Sequence, residues 1–76
     1  MSEKLPILSW REVVRALGKV GFRVVHQRGS HLYLTDGKHK ITVPRHDTIK
    51  RGTLLSIIHQ VGLTKEEFLR LLRDCD

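Results

Sequence analysis

The run RGSHLYL, from Arg28 to Leu34, holds the residues of this chain best suited to chemistry. It sets the imidazole of His31 at the start of a strand, directly after a tight turn built on Gly29. An imidazole with an unperturbed pKa of ~6.5 can take up or release a proton near neutral pH. Arg28 precedes the turn, and Lys38, Lys40 and Arg45 follow within a short stretch. A proton carrier beside several cations is the equipment for cutting RNA without a metal. The 2′-hydroxyl must lose its proton, the leaving 5′-oxygen must gain one, and the charged phosphorane needs cations or backbone amides around it.

On this reading His31 is the acid–base residue and Arg28, Gly29, Ser30, Tyr33, Lys38, Lys40, Arg45 and His46 contact the RNA. Gly29 allows the backbone to approach the substrate closely, and the cations hold phosphates. His46, in the PRH that follows the third strand, can act as a partner acid or simply shape the loop. His26, His39 and His59 read as surface residues, and a lone strand histidine such as His31 is also often just an exposed polar side chain. Five histidines raise the question of a metal, but the chain has no CxxC, no HExxH and no tight cluster of histidine with carboxylates. No metal and no cofactor are expected. Neither Ser30 nor Cys75 stands in a triad-like pattern that would make it a nucleophile.

The elements that must position these residues can be read in order. Ser9 and Glu12 have capping-box spacing, flanked by Leu8 and Val13 as a staple, so a helix starts there. Val13, Leu17 and Val20, with Trp10 and Val14, form its apolar stripe, and Gly21 stops it. Strands are predicted over 22–27, 30–35 and 38–43, with a turn at Gly29, a two-residue hairpin at Asp36-Gly37, and Pro44 ending the ladder. Alternation turns Phe22, Val24, Leu32, Leu34, Ile41 and Val43 toward helices. His31, Tyr33, Lys40, Thr42 and Arg23 then share the open face. A second helix is predicted over 50–61, with Leu54, Ile57, Ile58 and Val61 inward and Gly62 as its stop. A third starts at Thr64, capped by Glu67 and stapled by Leu63 and Phe68, with Phe68, Leu69, Leu71 and Leu72 inward. The order α-β-β-β-α-α, with helices on one face of a three-stranded antiparallel sheet, is α+β.

At 76 residues the chain reads as one domain, spanning 1–76, too small for a deep enclosed site. Its net charge is +6, and ten Lys or Arg stand against three acids between Arg11 and Arg51. That basic excess, interleaved with strand residues, favours a polyanionic partner over a merely solvated surface. A single cysteine, Cys75, excludes an internal disulfide. With no signal-peptide pattern and no long apolar run, a soluble cytoplasmic protein without membrane contact is expected.

Two other functions fit parts of the pattern. The run IIHQVGLTKEEFLRLL has helix-turn-helix form, but its second helix opens on Glu66 and Glu67, which repel phosphate and instead complement the helix dipole. The sheet can also serve as a non-catalytic RNA-binding face, or as a protein-docking surface in which Tyr33 and the open strand edge matter more than the cations. Oligomeric state is open, because a free edge pairs with a partner or with itself.

Taken together, the LPILS opening, Gly21-Phe22, the GSH of Gly29 to His31, the VPRH of Val43 to His46, the GTL of Gly52 to Leu54 and the IIHQVGLT run resemble the HicA toxin family, also called YcfA-like. The likeness covers about 6–72. It implies a fold like that of double-stranded-RNA-binding domains and an mRNA endonuclease acting in a bacterial toxin–antitoxin pair. It also implies His31 as the catalytic residue and a HicB-type antitoxin that covers the active site. Where relatives are lysine-rich before GTL, this chain has Ile49, Lys50 and Arg51.

Overall fold

The computed structural model describes residues 7–73; the Leu5-Pro6 part of the LPILS opening and Cys75 lie outside the described residues. Three helices and three strands follow in the order α1 (Trp10–Gly18), β1 (Arg23–Arg28), β2 (His31–Thr35), β3 (Lys40–Pro44), α2 (Arg51–Gln60) and α3 (Lys65–Arg73). The sheet is antiparallel with β2 in the centre, so the architecture is the α+β arrangement expected.

Local signals act as their chemistry demands. The Ser9 side chain accepts from the Glu12 backbone and the Glu12 carboxylate accepts from the Ser9 N–H at 2.9 Å, closing a capping box at α1. Thr64 and Glu67 make the same reciprocal pair at α3, at 2.8 and 3.0 Å. Gly21 and Gly62 take φ of +96° and +78° after α1 and α2, a conformation that side chains with a Cβ rarely adopt.

One continuous core forms between sheet and helices. Leu32, Leu34, Ile41 and Val43 leave the inner face of the sheet and meet Val13, Ala16 and Leu17 of α1, Leu54, Ile57 and Ile58 of α2, and Phe68 and Leu69 of α3. Leu8 and Ile49 add a short bridge, with the Ile49 N–H donating to the Leu8 carbonyl at 2.6 Å. The Trp10 N–H donates to the His46 carbonyl at 3.0 Å. Together these bonds strap the segment after β3 against the start of α1.

Several expectations are corrected. Val20 lies beyond α1, which ends at Gly18, and is 39% exposed. Val24 pairs with Leu34 yet is 42% exposed, because β1 is an edge strand and the helices leave its side chains uncovered. The two hairpins also exchange character. Arg28 pairs with His31, so the two-residue turn is Gly29-Ser30; Thr35 pairs with Lys40, so a four-residue loop, not a two-residue hairpin, contains Asp36-Gly37. Pro44 ends β3, but the Arg45 N–H still reaches the Ser30 carbonyl at 2.6 Å.

The Asp36 loop explains itself through one carboxylate. Its Oδ1 accepts from the His39 N–H at 2.6 Å and the Lys38 N–H at 2.8 Å, and Oδ2 lies 3.2 Å from His39 Nδ1. Those bonds, the His39 backbone bond foremost, hold the Asp36 carboxyl at about 2, below the usual 3.8. The folded pKa is the lower one, so this stabilisation is full above the unfolded value of 3.8 and vanishes as pH falls through about 2. Denaturation midpoints recorded from pH 5 down to pH 2 are expected to fall less steeply in Asp36→Asn than in the wild type. Superimposable slopes would show that the carboxylate contributes nothing.

Candidate functional site

Residues paired directly across antiparallel strands point to the same side of the sheet. The register therefore gives the open face as three rows. Arg28, His31 and Pro44 form the row next to the Gly29-Ser30 turn. His26, Tyr33 and Thr42 form the middle row, and Arg23, Thr35 and Lys40 the far row. Successive rows are about 7 Å apart, two residues along a strand.

His31 is exposed and has Arg28 directly opposite. Arg45 is tied to the same turn by its backbone N–H, which is bound to the Ser30 carbonyl, while its guanidinium carbon sits 5.2 Å from the centroid of the Trp10 ring of α1. The guanidinium carbon of Arg11 lies 5.0 Å from the same centroid, so one indole holds two cations at the rim of this corner. Neither Arg28 nor Arg45 is ion-paired with a described carboxylate. The corner thus presents an imidazole, a glycine turn and cations free to meet an anion.

The turn depends on its glycine. Gly29 takes φ of +59°, and a Cβ built there meets nothing within 4 Å, so the cost of substitution is backbone strain and not crowding. Gly29→Ala is expected to cost about 1–2 kcal/mol, read as a lower urea midpoint, with any activity falling further than stability because Arg28, His31 and Arg45 all hang from this turn. Unchanged stability would mean that the turn relaxes to another type.

The remaining sequence candidates divide clearly. Ser30 lies in the turn and gives its carbonyl to Arg45, and Tyr33 stands half-buried in the middle row. His46 is exposed just past β3, with its carbonyl bound to Trp10 and its N–H bound to the Pro44 carbonyl at 2.9 Å. Lys40 is two rows from His31, and Lys38 lies in the four-residue loop at the far end of β2. These two lysines are not neighbours of His31, as had been expected; they mark the opposite end of the same face. A hollow of about 170 Å³ lined by Val25, Tyr33, Thr35, Lys40 and Thr42, among others, lies between the middle and far rows. Among the described residues no three His, Cys, Asp or Glu side chains are grouped to hold a metal ion. No helix among them is long and apolar enough to cross a membrane.

Two members of the face were not legible in the sequence. The sequence reads His26 as a surface residue with no part in the site, and unbroken alternation from Phe22 and Val24 would not put it beside Tyr33. A bulge at Val25, between the Val24 and His26 pairings, reverses that assignment and stacks the His26 ring 5.6 Å from that of Tyr33. Trp10 falls in the helix stripe by its spacing, and its role as a platform for Arg45 depends on a tertiary approach that no local pattern announces.

The family model described as HicA toxin of bacterial toxin-antitoxin matches residues 10–63 of the 76. The chain belongs to the HicA toxin family. No curated protein and no solved structure matches it, and none of the comparisons bears out the expected likeness to double-stranded-RNA-binding domains. Membership in the HicA family makes the chain the toxin of a toxin–antitoxin pair, with an antitoxin as its partner. The matched span ends before α3, which nevertheless completes the core through Phe68 and Leu69.

Proposed function

We propose that this HicA-family toxin is an endoribonuclease that cuts mRNA with His31 and without a metal ion. The observation that carries the reading is the corner itself: an exposed imidazole faces Arg28 across the strand pair and has Arg45 bound to the adjoining turn. RNA lies over the open face with the scissile phosphate at this corner. Arg28 and Arg45 hold the phosphate, the Gly29-Ser30 turn lets it approach the backbone, and His46 flanks it. His31 takes the 2′-hydroxyl proton as the 2′-oxygen attacks phosphorus. Tyr33 offers a ring face to a base. Lys38 and Lys40, at the far end, meet phosphates further along the strand. A HicB-type antitoxin neutralises the toxin by covering the same face.

The test is incubation of single-stranded RNA with the protein in excess EDTA, followed by analysis of the ends produced. The expected outcome is cleavage with 2′,3′-cyclic phosphate and 5′-hydroxyl termini. Intact RNA after long incubation, together with salt-sensitive binding through counterion release, would instead make the face a non-catalytic RNA-binding surface.

A further inference from the structure

We infer that His26 is a second catalytic residue of this site, the acid that protonates the departing 5′-oxygen. The inference rests on the endoribonuclease reading above and adds the group that reading leaves unassigned. Cleavage moves two protons, and His31 removes one of them. A group serving the second proton must stand on the same face, about one phosphate away from His31, and must be of a type that can give up a proton.

His26 meets each condition. Its pairing with Tyr33, and that of Arg28 with His31, makes His26 and His31 diagonal neighbours on the open face. Diagonal neighbours across antiparallel strands have backbones about 7–8 Å apart. Two side chains rising side by side from such positions leave a gap that a phosphodiester can fill, with each imidazole within hydrogen-bond reach of one of its oxygens. The His26 ring is solvent-exposed and is held by its contact with the Tyr33 ring, tilted at 33°. The Val25 bulge is what brings it there, and bulges commonly re-aim a side chain beside a site.

The other nearby donors fit less well. Arg28 and Arg45 carry guanidinium groups that keep their protons at any pH near neutral. Lys40 lies two rows from His31. The backbone of His46 is fixed in the strap beyond Pro44, outside the three rows. In the step assigned here, the 2′-hydroxyl proton passes to His31, the 2′-oxygen–phosphorus bond forms and the phosphorus–5′-oxygen bond breaks. The 5′-oxygen leaves with the proton of the His26 imidazolium. The products are a 2′,3′-cyclic phosphate and a 5′-hydroxyl, and proton exchange with water resets both rings.

An RNA carrying one sulfur in place of the bridging 5′-oxygen tests the assignment, because a thiol, with a pKa of ~8.5, leaves without help from an acid. His26→Ala is expected to cut the oxygen substrate about 10²–10³-fold more slowly than the wild type. On the sulfur substrate it is expected to come within about tenfold of the wild type, whereas His31→Ala is slow on both. His26→Gln, compared in the same way, guards against loss of fold in the alanine variant. Equal losses on the two substrates, or a His26 variant as fast as the wild type on oxygen, would overturn the assignment of His26 while leaving His31 in place. A wild-type protein inactive on both substrates would remove the endoribonuclease reading and this inference with it, whereas a folded His31→Ala variant with full activity would remove His31 as the base and so the division of roles inferred here.

Discussion

His31→Ala is expected to lower the rate of RNA cleavage about 10²–10⁴-fold, the contribution of a well-placed proton-transfer group, or about 3–5 kcal/mol of transition-state stabilisation. The variant should remain folded. His31 is exposed, contributes nothing to the core, and keeps its place in the strand pairing through backbone groups that alanine retains. RNA affinity should change little, since on the proposed reading Arg28, Arg45 and the distal lysines hold phosphates without the imidazole. Single-turnover rates alongside equilibrium binding separate the two effects. A folded variant that cleaves at the wild-type rate would end the assignment of His31, and one that loses affinity in proportion to rate would make it a binding residue.

The second large effect concerns stability. Phe68 of α3 is fully buried among residues of α1, α2 and the sheet. Phe68→Ala removes a large side chain from a close-packed interior and is expected to cost about 3–5 kcal/mol. A domain of 76 residues has about 4–11 kcal/mol in all, so the variant should melt at least about 12 °C lower, or be unfolded when isolated. Thermal unfolding followed by circular dichroism reads this directly. An unchanged Tm would show that α3, which lies beyond the span matched by the family model, is not part of the cooperative unit. His31→Ala and Phe68→Ala thus separate loss of chemistry from loss of fold.

What could be read from the sequence was whatever depends on near neighbours. The capping pairs Ser9/Glu12 and Thr64/Glu67 and the stops at Gly21 and Gly62 are each encoded within a few residues. The alternation of Leu32, Leu34, Ile41 and Val43 survives because β2 and β3 pair without irregularity. Failures begin where one residue changes the count. The bulge at Val25 inverts every later side chain of β1, and so gives His26 a place beside Tyr33 that period two does not. Asp-Gly at 36–37 has the composition of a two-residue hairpin, but the Asp36 carboxylate organises a wider loop by capping the Lys38 and His39 amides. That choice leaves Lys38 in the loop and pairs Thr35 with Lys40 in its place. The exposure of β1 is not written in its alternation, because how far the helical layer extends decides how much of an edge strand is covered.

The buried position of Phe68 has a consequence for biosynthesis. The hairpin bearing His31 is translated well before α3, but the interior that supports it is closed only when the Phe68 ring arrives. A nascent chain paused between these points therefore carries the hairpin before the core beneath it is complete.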